Sequence, residues 1–111
     1  MLGRANRFHG YGILKRIYSN SSIARGSLVS LRYSKNKPDR KYRVAVVVGK
    51  KVNKSAVQRN KIRRRIYEIV RQSENIENGK DYVFTVYSDK ILDLPHNELV
   101  NQIDDLSKKA K

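Results

Sequence analysis

The sequence predicts a small α/β protein, an α+β sandwich in which helices pack on a sheet of about four strands. Three observations carry that expectation. Residues 44–48 form an unbroken apolar run, Ile62, Ile66, Ile69 and Val70 recur at helical spacing, and the elements around them follow the order α-β-β-α-β-α. At 111 residues the chain has room for one domain with one modest core. No internal repeat, low-complexity linker or break in composition divides it, so residues 1–111 are taken as a single domain.

The elements can be justified in order. Residues 11–18 suit a short helix with Leu14 and Tyr18 four apart on one face, and residues 19–22 are a polar break. Residues 28–33 alternate as a strand, sending Val29, Leu31 and Tyr33 one way and Leu28, Ser30 and Arg32 the other. A turn over residues 35–41, holding Pro38-Asp39, leads to residues 44–48, whose continuous apolar character predicts a central strand buried on both faces. Ser55 and Gln58 have the spacing of a capping box, so a helix should run from there to about Gln72. Asn78-Gly79 marks a turn, residues 82–87 alternate as a further strand, and a last helix from near Pro95 should bury Leu99, Val100, Ile103 and Leu106.

Charge narrows the function. Lys and Arg number 25 against 10 Asp and Glu, a formal net charge of +15. Self-repulsion makes this imbalance a burden on a compact fold, so it implies a polyanionic partner. The distribution is uneven: Met1 to Ile66 holds 19 basic residues and one acid, Asp39, while the remainder holds 6 basic and 9 acidic. The first stretch is the one expected to bind the polyanion. No apolar run reaches the ~18 residues needed to span a bilayer. Met1 to Gly10 lacks an apolar signal core, and there are no cysteines for disulfides or thiolate metal sites. A reducing, cytoplasmic setting is expected, with no membrane and no obligate protein partner evident.

Projected at about 100° per residue, the long helix gathers Ile62, Ile66, Ile69 and Val70 into one apolar seam. Asn60, Arg64, Tyr67 and Arg71 form a second stripe. Arg63 lies between stripe and seam, Lys61 and Arg65 flank the far side, and Arg59 sits near the apolar edge. Lys50, Lys51 and Lys54 gather before the helix, whose N-terminal N–H groups add partial positive charge. Arginine's planar fork can grip phosphate oxygens in pairs and can stack on a base. An ordinary solvated helix face would interleave acids, yet none occurs between Asp39 and Glu68.

Residues 43–68, RVAVVVGKKVNKSAVQRNKIRRRIYE, resemble the signature region of the bacterial ribonuclease P protein component. Lys50 and Lys51, then Ala56, Val57, Arg59, Asn60, Arg63 and Arg64, match its pattern of a strand ending in two basic residues, a loop, and a helix carrying A-V-x-R-N-x-x-[KR]-R. Asn6-Arg7-Phe8 is similar to the family's opening, and Lys80-Asp81-Tyr82-Val83 with the last helix to its close. Two positions depart: Tyr67 stands where another basic residue is frequent, and Arg65 replaces a common apolar one. The strand ending at Tyr87 also lacks the family's frequent basic residue, Lys90 being the only one near.

The resemblance implies a protein subunit that assists a catalytic RNA in cutting the 5′ leader from precursor tRNA. It implies contacts to the catalytic RNA from Lys50, Lys51, Lys54, Arg59, Asn60, Lys61, Arg63, Arg64, Tyr67 and Arg71, with N-terminal RNA contacts from Arg4 and Arg7. It places Leu14, Tyr18 and Tyr33 against the leader, where stacking on an aromatic ring tolerates any base. It also implies a left-handed β-α-β crossover, against the usual handedness. Magnesium is expected for the RNA-catalysed reaction.

No catalytic residue or metal site is legible in the chain itself. A metal-dependent nuclease needs convergent carboxylates, and Asp104-Asp105, the only adjacent acids, project to different sides of a helix. His9 and His96 are far apart in sequence, and Gly49-Lys50-Lys51 lacks the spacing of a phosphate loop. An independent nuclease is thereby disfavoured. A structural RNA-binding protein of ribosomal type is the alternative that charge and size alone leave open.

Overall fold

The structure, a computed structural model, describes residues 21–35 and 39–111. The helix expected at residues 11–18 lies outside them. Four strands form one sheet: β1 (Ser22–Arg25), β2 (Val29–Lys35), β3 (Arg43–Val48) and β4 (Lys80–Val86). Two α-helices follow β3 and β4 respectively, α1 (Ala56–Gln72) and α2 (His96–Lys109), and a 3-10 helix (Asp89–Asp93) connects β4 to α2.

The order across the sheet is β1-β2-β4-β3. β2 pairs antiparallel with both β1 and β4, while β3 runs parallel to β4. This corrects the sequence expectation for two strands. The apolar run of β3 does not lie at the centre: β3 is an edge strand, and β4 occupies the interior position. β4 is expected to alternate, yet Asp81, Tyr82, Val83 and Phe84 are all buried, so this interior strand, paired on both sides, is shielded on both faces. Ser30 also departs from the alternating pattern, being buried on the face opposite Val29 and Leu31.

Register decides which side chains share a face. Val29, Leu31 and Tyr33 of β2 lie beside Val86, Phe84 and Tyr82 of β4, which in turn lie beside Val48, Val46 and Val44 of β3. These rows meet Ile62, Ile66, Ile69 and Val70 of α1 and Leu99, Ile103 and Leu106 of α2 in one cluster. Both helices therefore cover the same face, α1 over β3 and α2 over β1 and β2. Burying each aliphatic side chain of this kind stabilises the fold by about 1.5–3 kcal/mol. Val100, expected in the core, is only half-buried beside it.

Helix α1 begins where the sequence places it, with one correction to its cap. Ser55 Oγ accepts from the Gln58 N–H at 3.3 Å. The reciprocal bond comes from a different residue, for the Ser55 N–H donates to Asn53 Oδ1 at 2.9 Å. Asn53 thus takes the position expected of Gln58. The edge of β3 is guarded by the same helix: the Val46 N–H donates to the Tyr67 hydroxyl at 3.3 Å, so an outward backbone donor is satisfied by a side chain of α1.

On the sheet's other face Arg43 and Asp81, adjacent across β3 and β4, form a two-pronged pair of 2.9 and 2.8 Å. The hydrogen bonds to Asp81 hold the Arg43 guanidinium more firmly charged than usual, outweighing its partial burial. Gly79 takes a φ of 83° in the turn before β4, the left-handed region that glycine enters without strain. Neither β1 nor the 3-10 helix was foreseen. β1 has four residues, begins within the polar stretch of residues 19–22, and is too short for periodicity to reveal.

A basic helix and loop as the candidate RNA interface

The loop between β3 and α1 is stitched by its own hydrogen bonds. The Val52 N–H reaches the Gly49 carbonyl at 3.0 Å, and the Arg59 guanidinium folds back onto the carbonyls of Asn53 and Lys54 at 2.9 and 3.0 Å. Arg59 is therefore half-buried as a brace, while Lys50, Lys51 and Lys54 stay exposed on the loop it shapes. Cations on a fixed loop lose less entropy on meeting phosphate than cations on a mobile one.

Along α1 the basic residues divide by the company they keep. Arg64 and Lys61 are exposed, with no hydrogen bond or ion pair among the described residues. Arg63 donates to Asn60 Oδ1 at 2.5 Å, which holds its fork beside the stripe. Arg71 pairs with Glu68 at 2.9 Å, and that contact is the main cause holding the Glu68 carboxyl down at about 2. Glu68 is the first acid after Asp39 and neutralises one end of the stripe.

Two residues in this region have structural duties that sequence reasoning missed. Arg65, expected on the flank of the RNA stripe, donates to the carbonyls of Ile91, Leu92 and Leu94, including 2.8 Å to Leu94. It thereby ties the 3-10 helix to α1, which gives this charged residue a packing role on the helix. Tyr67 is half-buried against the core with its hydroxyl on β3. Its partner lies 21 residues away in sequence, so no local pattern announces the contact.

Of the expected leader contacts, Leu14 and Tyr18 lie outside the described residues, as do Arg4 and Arg7. Tyr33 stands near the end of β2 on the helix-covered face, half-buried, and its hydroxyl donates to the Lys109 carbonyl at 3.4 Å. Lys80 donates to the Ala110 carbonyl at 2.9 Å, so two strands hold the last turn of α2. The described structure does not bring Tyr33 into the stripe on α1.

Among the described residues no group of three or more His, Cys, Asp or Glu side chains converges to hold a metal ion. Asp104 accepts from Ser73 Oγ at 3.2 Å, and Asp105 is exposed. Among the described residues no helix is long and apolar enough to cross a membrane. The arrangement offers donors and positive charge to a polyanion.

Comparison with known proteins agrees with that geometry. The ribonuclease P family profile matches residues 2–111. The ribonuclease P protein component of Prochlorococcus marinus (strain MIT 9215) is 32% identical over 88 residues, covering 68% of this chain and 69% of that protein. The component from Pseudanabaena sp. (strain PCC 6903) is 30% identical over 113 residues, covering 100% and 96%. Among solved structures, the Staphylococcus aureus RNase P protein superposes with a TM-score of 0.80 at 26% identity, covering 97% of each chain. The Thermotoga maritima RNase P protein shares the fold, with a TM-score of 0.83 at 21% identity over 95% of this chain and 97% of that one. A basic, stitched loop and helix on this sheet, matched along almost the whole chain, place the protein in the ribonuclease P protein component family.

Proposed function

We propose that this chain binds the catalytic RNA of ribonuclease P through α1 and its preceding loop, and that it helps the RNA remove the 5′ leader of precursor tRNA. The observation that carries the reading is the exposed, partner-free Arg64, set beside Lys61 and the three loop lysines. Each such cation can replace a condensed counterion on a phosphate. Arg63, Asn60 and Arg71 extend that surface. Arg59 and Tyr67 support it from beneath, so their contribution to RNA binding comes through the shape they maintain.

Leu14, Tyr18 and Tyr33 are the proposed leader contacts, and Arg4 and Arg7 the proposed N-terminal ones. The RNA carries out the cleavage with magnesium, while the protein supplies fixed positive charge and a guide for the substrate. A cytoplasmic location goes with this role and suits a chain without cysteines. Family membership disfavours the ribosomal-type alternative.

The test is cleavage of precursor tRNA by protein alone, catalytic RNA alone, and both together, across a magnesium series. The protein alone should be inactive. Added to the RNA, it should tighten substrate binding and lower the magnesium required, because fixed cations spare recruited ones. Multiple-turnover cleavage by RNA-free protein would overturn the assignment of catalysis to the RNA.

A further inference from the structure

Val57 is the most exposed large hydrophobic side chain among the described residues, at 64%. It stands in the first turn of α1, one residue after Ala56, where the helix begins. At about 100° per residue it lies at least about 120° from Ile62, Ile66, Ile69 and Val70, the four residues that α1 buries. The side chain therefore points away from the core. A valine here also works against the helix, because its branched Cβ makes it a poorer helix former than alanine. A first turn ordinarily favours acids, which complement the partial positive charge of the helix start, yet α1 has none there. Position 57 thus holds a residue that suits neither the core, nor the helix, nor water.

Lone exposed apolar residues are ordinary on protein surfaces, and this one is set apart by its neighbours. On the same projection Arg64 lies about 20° and Lys61 about 40° from Val57, so the three share one outward line. Lys61 is four residues on and Asn60 three, the spacings at which helical side chains adjoin. Lys61 and Arg64 are exposed, and neither has a hydrogen bond or ion pair among the described residues. Glu68, the acid on this line, comes a turn beyond Arg64 and is paired with Arg71. A polyanion drawn to Lys61 and Arg64 therefore passes over Val57. Phosphate oxygens gain nothing from an apolar side chain, whereas the ribose and base of the same strand carry C–H and ring surface that does. RNA presents such surface in its wide, shallow minor groove and in its unpaired segments.

We propose that Val57 is an apolar contact of the catalytic-RNA interface, packing against the ribose and base surface of the strand whose phosphates Lys61 and Arg64 hold. The inference rests on the catalytic-RNA reading above and adds to it a contact of a different physical kind. The cations supply attraction that salt weakens, and Val57 supplies burial of apolar surface that salt does not weaken. It also orients the helix on the strand, since a cation reaches phosphate from many directions and a short branched side chain packs from few.

The experiment measures binding of the catalytic RNA to the full chain across a series of salt concentrations, for the wild type, Val57→Ala, Val57→Lys and Arg64→Ala. Val57→Ala should weaken binding by about 5- to 15-fold, the range for two methyl-sized groups no longer buried. The log–log salt slope should stay the same, because an apolar contact releases no counterion. The melting temperature of the free protein should hold or rise, since alanine suits an exposed helical position better. Val57→Lys sets a cation at the same point and should steepen the slope by about 0.7 to 0.9. An unchanged affinity in Val57→Ala, with Arg64→Ala flattening the slope, would sink this inference alone. If Arg64→Ala also binds as the wild type does, the reading of α1 as the RNA face falls with it. A loss in Val57→Ala that comes with a shallower slope or a lower melting temperature would assign Val57 to holding the cations or the helix in place, and would overturn the contact. A Val57→Lys slope equal to that of the wild type would overturn it too, because no phosphate would then lie within reach of position 57.

Discussion

Arg64 and Arg65 are adjacent, yet one helical step of about 100° sends the first guanidinium to solvent and the second onto three backbone carbonyls. The two should therefore fail differently. Arg64→Ala should leave stability within about 0.5 kcal/mol. It should also make the log–log salt slope for catalytic-RNA binding shallower by about 0.7 to 0.9, the effect of one lost phosphate contact. Arg65→Met keeps the aliphatic stem but strands the carbonyls, and should cost about 1–3 kcal/mol in a denaturant melt. Swapped outcomes would refute the division. The helix projection placed Arg65 on the correct flank, but the carbonyls that receive it lie 26 to 29 residues onward in a 3-10 turn with no sequence signature. Glu68 offers a test by pH. Its carboxyl is lowered from 4.5 to about 2, chiefly by Arg71. Any stability from the pair is complete above the ordinary value and is lost as pH falls through the lowered one. In Arg71→Ala the Glu68 carboxyl resonance should titrate nearer its ordinary value; an unmoved midpoint would show that Arg71 is not the cause.

At the scale of elements, the long helix was legible because its signals are local. Ser55 caps it, and four isoleucine and valine positions recur at its own period. The strands were harder, since their rank in the sheet depends on partners that no window contains. An apolar run does not by itself mark a central strand, and β3 buries its Val44, Val46 and Val48 row at an edge because α1 closes over that face. The Arg43–Asp81 pair is a two-pronged polar tie between β3 and β4, with the Asp81 side chain only 6% exposed. Arg43→Leu alone should destabilise the protein by on the order of 3 kcal/mol, because a buried carboxylate loses its principal partner. Replacing both residues by leucine should recover much of that loss. A double variant as unstable as the sum of the two singles would show that the pair is not coupled.

For the whole molecule, charge and fold pull in opposite directions. A net charge of +15 on a chain of 111 residues destabilises the compact state by self-repulsion. Polyvalent anions should relieve it. Phosphate or a short RNA should raise the melting temperature well beyond what chloride of equal ionic strength achieves, since only the former binds the native arrangement of cations. A melting temperature that follows ionic strength alone would mean that no organised anion site exists.

The order β1-β2-β4-β3 also governs how the protein comes into being. β4 joins the two halves of the sheet, yet it is the last strand to be synthesised, and its pairing with β2 brings Val29 to Val86. Until it arrives, β2 and β3 lack the neighbour that both require, and long-range closure of this kind makes folding slow. Phe84→Leu should therefore lower the refolding rate in stopped-flow measurements, whereas Ala24→Gly, in β1, should chiefly speed unfolding. Equal effects on refolding would argue against closure by β4 as the limiting event. The segment made before β4 holds 20 basic residues against four acids, and like charge of that excess opposes pairing between the unfinished edges of neighbouring chains. The positive charge proposed to bind RNA should first protect an open sheet from aggregation.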